Sequence, residues 1–114
     1  MPVINGKRKW ETPVRELRVG QVYRLRLINI LATVPMVASL RMASDTSLLI
    51  WRAHAKDGAD LPMSKRVDGP SLLTFGVGET YDFLFTPKRV GDIVLHVKSA
   101  GPEPGELRMP IRVR

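Results

Sequence analysis

Apolar and polar residues alternate with a period of two through most of this chain, and that periodicity restricts its fold more than any other feature. Successive side chains of a strand point to opposite faces, so alternation makes one buried and one wet face. A helix would need apolar residues at spacings of three and four. Segment 22–30 sets Tyr23, Leu25 and Leu27 against Arg24 and Arg26. Segment 79–85 sets Tyr81, Phe83 and Phe85 against Thr80 and Asp82, and segment 92–98 sets Ile93, Leu95 and Val97 against Val94, His96 and Lys98. Segment 14–19 alternates Leu17 and Val19 with Glu16 and Arg18, and segment 106–114 alternates Leu107, Met109, Ile111 and Val113 with arginines. Less regular strands are expected at 36–43, with Met36, Ala38, Leu40 and Met42 on one side, at 47–55 and at 72–77. No window carries a convincing helical stripe.

Turn signals separate these segments: Val19-Gly20-Gln21, Asp57-Gly58, Asp68-Gly69-Pro70, Gly76-Val77-Gly78 and Gly101-Pro102-Glu103-Pro104-Gly105. The one long irregular stretch runs over 56–71. Pro110 lacks an N–H for the ladder, which predicts an edge or a bulge in the last strand. About eight short strands in 114 residues imply one all-β domain, a sandwich or barrel, over residues 1–114. Shared parity predicts a core of Tyr23, Leu25, Leu27, Trp51, Tyr81, Phe83, Phe85, Ile93, Leu95, Val97 and Ile111. Residues 19–25 also echo 77–83: each has a Gly turn, then a strand whose inward face begins with Tyr. Two copies do not make a repeat array.

The formal net charge of +7 raises nucleic acid as a partner. The basic residues, however, are spread from Lys7 to Arg114, and the aromatics fall on the apolar side of their strands rather than among the cations. Neither nucleic acid nor membrane is expected as a partner. No apolar run approaches the ~20 residues of a membrane span, and the first residues lack a signal-peptide apolar region. The sequence has no cysteine, which excludes disulfides, thiolate metal sites, cysteine nucleophiles and iron–sulfur clusters together.

Several stretches, taken in order, resemble domains of the multicopper oxidases, the laccase-like family built from cupredoxin domains. Ile4-Asn5-Gly6-Lys7 is similar to the strand that opens such domains, and residues 18–29 resemble the family's "v-x-G-e-x-x-R-l-R-l-i-N". Residues 51–58 resemble its "a-x-D-G" strand and turn, and residues 77–83 its "G-E-x-Y-D" strand. Residues 86–93 resemble the turn into the strand that elsewhere carries copper ligands. The resemblance implies a cupredoxin-like Greek-key β-sandwich of about eight strands, and a periplasmic or extracellular setting.

The departures from that pattern are informative. A blue-copper site needs two imidazoles, a thiolate and a weak axial ligand. The family's His-Cys-His run corresponds here to residues 96–98, with Val97 at the cysteine position and Lys98 at the second histidine. The His-x-His pairs have no counterpart, and the chain holds only two histidines. No catalytic, cofactor-binding or metal-binding residue is therefore expected, and copper is expected only in sister domains of a larger protein. His96 and His54 read as structural or surface residues, with His96 assisting a metal from another domain as the alternative. Asp57 and Asp60 read as turn residues rather than a calcium loop or a hydrolytic dyad. Met36, Met42 and Met109 sit at inward positions, which favours core filling over a copper(I) site with Met63. Serines lack a nucleophile-elbow context, and no glycine pattern fits a phosphate loop.

The expected function is thus a copper-free structural and interaction domain of a multicopper-oxidase-type protein. By itself the domain would catalyse nothing; the parent would be a copper-dependent oxidase. Its partners would be sister cupredoxin domains or a second copy of itself. Docking is expected through the stretch 60–70 and the turn 31–36, where Leu61-Pro62-Met63 and Val34-Pro35-Met36 place apolar side chains in turns. The alternative is a free-standing β-sandwich binding a polymer or an anionic partner on its Arg24 and Arg26 face.

Overall fold

All eight segments marked by the sequence form strands, joined by four shorter ones among the described residues. The computed structural model describes residues 3–4, 7–8, 15–29, 35–99 and 106–114. In chain order the strands are β1 (Val3–Ile4), β2 (Lys7–Arg8), β3 (Arg15–Leu17), β4 (Tyr23–Ile28), β5 (Met36–Met42) and β6 (Ile50–Lys56). They continue with β7 (Ala59–Asp60), β8 (Asp68–Pro70), β9 (Leu72–Phe75), β10 (Thr80–Phe85), β11 (Gly91–Ser99) and β12 (Glu106–Val113). β1 and β2 pair with each other, apart from the two large sheets. The expected turns at 31–34 and 101–105 lie outside the described residues.

One sheet has the order β4-β10-β6-β7, with β8 also on β6; the other has the order β3-β12-β11-β5-β9. From β3 onward the chain passes repeatedly from one sheet to the other, so most neighbours within a sheet are distant in sequence, as in Greek-key sandwiches. The core lies between the sheets. Leu27, Trp51, Phe83, Phe85, Ile93, Leu95, Val97 and Ile111 are buried there as parity predicts, together with Met36, Ala38, Leu40 and Met42. Trp51 stacks on Phe83, with ring centroids 4.0 Å apart.

Tyr23, Leu25 and Tyr81 are only half-buried. The two tyrosines keep a polar tip within reach of partners: the Tyr23 hydroxyl accepts from the Arg18 N–H and donates to Gln21, and the Tyr81 hydroxyl donates to Glu79. Leu25 lies on β4, an outer strand of its sheet.

Two expectations are corrected. The stretch 56–71 is not irregular: β7 and β8 both pair with β6, and a 3-10 turn at Met63–Lys65 lies between them. Such two- and three-residue strands are too short to show alternation. Second, β6 breaks its parity. Phe83 pairs with Ala53 but Asp82 pairs with Ala55, so β6 has an extra residue at His54, a β-bulge. Pro110 matches the expected edge rather than a bulge, since one side of β12 has no described neighbour at that residue. The pairing of β12 with β11 runs unshifted through Val94 and Pro110, and β3 pairs β12 only from Ile111 onward. Pro110 is tolerated because no strand among the described residues pairs that side of β12 there.

The echo between 19–25 and 77–83 has a spatial meaning. β4 and β10 are neighbours, registered from Tyr23 opposite Phe85 to Ile28 opposite Thr80. Gly20 and Gly78, at φ +86° and +78°, supply the left-handed turns that open them.

Candidate functional site

β11 is an inner strand of its sheet, flanked by β12 and β5, and it carries Val97 and Lys98, the residues that the sequence resemblance sets against copper ligands. Val97 stands opposite Leu107 on one side and Ala38 on the other, and all three are buried. Hydrocarbon therefore flanks Val97 on both sides. Lys98 is exposed on the outer face, opposite Glu106 and Val37.

His96 faces the same way as Lys98, between Arg108 and Ser39, with its Nε2 atom 3.1 Å from a Glu106 carboxylate oxygen. Arg108 donates to that carboxylate at 2.8 Å and, with the neighbouring His96 imidazole, holds its pKa below the usual range. His54, at the bulge in β6, belongs to the other sheet. Among the described residues no three or more histidine, cysteine, aspartate or glutamate side chains gather where they could hold a metal ion. The donor set does not fit a blue-copper centre: there is no thiolate, and the two imidazoles stand on different sheets.

Met36, Met42 and Met109 are core residues, whereas Met63 is 76% exposed, so the four do not form a common site. Asp57 and Gly58 join β6 to β7 as a two-residue loop with φ +51° and +80°, the pattern of a type I′ turn. The Asp57 carboxylate accepts the Thr80 N–H at 3.0 Å, which ties that turn to β10. Asp60 is exposed and reaches Arg66 at 3.8 Å. The two aspartates thus have separate structural partners.

The most developed polar site is one that alternation alone misassigns. Parity puts Asp82 on the wet face of β10, yet its side chain is only 3% exposed. Arg24 and Arg26 reach it from β4: Arg24 Nε donates to Oδ2 at 2.7 Å, and Arg26 Nε and Nη2 donate at 3.1 and 3.0 Å. Hydrogen bonding from Arg26 holds the Asp82 carboxyl below its usual range against the opposing cost of burial, and Arg24 adds to the effect. The aliphatic stems of two half-exposed arginines can cover a carboxylate while the guanidinium groups stay partly wet. The only signal in the sequence is the opposite charge of Asp82 and of Arg24 and Arg26, which favours their strands as cross-strand neighbours. Because both guanidinium groups engage Asp82, this face offers an anionic partner less free charge than its two arginines suggest.

The sequence matches no family model and no curated protein. Two solved structures are similar over nearly the whole chain. Fet3p, a multicopper oxidase that functions in iron import, aligns with a TM-score of 0.70 at 13% identity over 96% of this chain. The blue copper oxidase from Nitrosomonas europaea aligns with a TM-score of 0.65 at 23% identity over 90% of it. The fold is that of a cupredoxin-like domain of multicopper oxidases. This cupredoxin-like domain spans 20% and 31% of the length of those two proteins. Among its described residues no helix is long and apolar enough to cross a membrane.

Proposed function

We propose that this cupredoxin-like domain is a copper-free structural and interaction unit of a multicopper-oxidase-type protein whose redox centres lie in other domains. The observation that carries this reading is Val97, buried between Leu107 and Ala38 where copper-bearing relatives of this fold would need a thiolate. The short share of each similar oxidase that the chain spans supports a multidomain parent. On this reading the parent is a copper-dependent oxidase of the periplasm or the extracellular space, and this domain contributes walls and contacts rather than ligands.

Contact with a sister domain would use the segment between β7 and β8. Met63 and Val67 there are 76% and 58% exposed, and Leu61 is half-buried. Met36 takes no part in such a surface, because it is buried in the core of its own domain.

The test has two arms. The isolated chain is treated with cupric salt, desalted and assayed for metal; no stoichiometric copper and no blue charge-transfer absorption are expected. The intact mass of the natural protein should exceed the 12.8 kDa of this chain. A stoichiometric blue copper in the isolated chain would overturn the reading.

A further inference from the structure

One end of the sandwich carries an apolar cleft of about 470 Å³, between the start of β6, the end of β10, the start of β11 and the end of β12. That volume lies within the ~300–1,000 Å³ of small-molecule pockets. Its floor is made by Met42, Trp51, Phe85, Ile93 and Val113, all buried. At its mouth Val22 and Ile50 are 63% and 56% exposed, and Val90, 66% exposed, follows the lining residue Arg89. Apolar side chains left wet around an apolar cleft mark a surface that gains by being covered.

The charges at the rim select what covers it. Arg52 and Asp68 line the cleft and pair with each other at 2.8 Å, so they cancel locally. Lys88 and Arg89 remain. Lys88 is exposed and close enough to lower the pKa of Asp68, though no carboxylate among the described residues comes within ion-pair distance of it, and Arg89 is 63% exposed and meets Asp45 only at 4.0 Å. An apolar floor under two cations at one side of the mouth suits a molecule with an apolar tail and an anionic head.

We propose that this cleft is a binding site for an anionic amphiphile, a carboxylate on an alkyl or aryl body, with the tail over Trp51 and Phe85 and the head at Lys88 and Arg89. Every residue of the site belongs to this chain.

The probe is decanoate, titrated below its micelle concentration into the ¹⁵N-labelled chain. Saturable shifts are expected at Ile50, Phe85 and Lys88, with decyltrimethylammonium binding at least fivefold more weakly. Lys88→Gln and Arg89→Gln should each weaken decanoate by about threefold to fivefold, the size of an exposed charge contact. Ile50→Glu should abolish saturation, while Lys98→Gln, outside the cleft, leaves it unchanged. All four substitutions fall on exposed side chains, so the fold survives them. Shifts that do not saturate or map elsewhere, or equal binding of both head groups, would overturn the proposal.

Discussion

Truncating Phe83 to alanine tests the sandwich core where it is most specific. The ring is 7% exposed, stacks on Trp51 at 4.0 Å with planes 14° apart, and lies 6.3 Å from the Tyr81 ring. A phenyl side chain that buries on the order of 150 Å² contributes about 4 kcal/mol at roughly 25 cal/mol per Å². The cavity left behind keeps the cost near the same size, about 3–5 kcal/mol, because strands on both sides of β10 limit collapse. Phe83→Leu preserves most of the volume and should cost under about 2 kcal/mol. Urea unfolding followed by circular dichroism measures both, and a double-mutant cycle with Trp51→Leu should return about 0.5–1.5 kcal/mol of coupling for the stacked pair. A loss below about 1 kcal/mol for Phe83→Ala, or zero coupling to Trp51, would refute the close-packed core between the sheets.

Asp82 predicts the shape of the acid limb of stability. Its folded pKa is lowered by Arg26 and Arg24, so its contribution is complete above the unfolded value of about 3.9 and disappears as pH falls through the lower folded value. Asp82→Asn should flatten that part of a urea-midpoint profile taken from pH 7 to pH 2, and an unchanged profile would remove Asp82 from the explanation. Gly58→Val should lower stability by about 1–3 kcal/mol, since φ +80° strains a β-branched residue even though the space around it is open. Gly58→Asn should cost less, and thermal unfolding ranks the two. Met63→Ser should change stability of the isolated domain by less than about 0.5 kcal/mol, and Met42→Ser by several times more, because only the second side chain is buried.

How far the sequence reveals the molecule depends on the range of the interaction concerned. β10, β11 and β12 are legible because their inward residues alternate without interruption through six, nine and eight positions. β6 is less legible because the bulge at His54 shifts the parity of Ala55 and Lys56, and a period cannot be read across an inserted residue. β7 and β8 escape notice because they exist only as partners of β6. Asp82 looks wet along its own strand and is buried only because β4 lays two arginines over it. The inward row Met36, Ala38, Leu40 and Met42 was legible from parity along a single strand. The cleft was not, because its walls come from strands far apart in the chain.

β3 and β12 pair in parallel, Arg15 with Ile111 and Leu17 with Val113, joining the early part of the chain to its last strand. During synthesis at about 5–20 residues per second, β3 waits on the order of 5–20 s for the strand that completes its hydrogen bonding. β5 likewise waits for β11, its neighbour on the side away from β9. Topologies closed by such distant pairings fold slowly, in milliseconds to seconds, and only after the last strand leaves the ribosome. In a nascent protein with several domains of this fold, an early strand left waiting could be captured by another domain's final strand. The composition of β3 guards against that. Two of its three residues, Arg15 and Glu16, are charged, and Glu16 meets Arg114 at 3.1 Å once the sheet has closed. Charges on a short unpaired strand discourage foreign pairing until its own partner arrives.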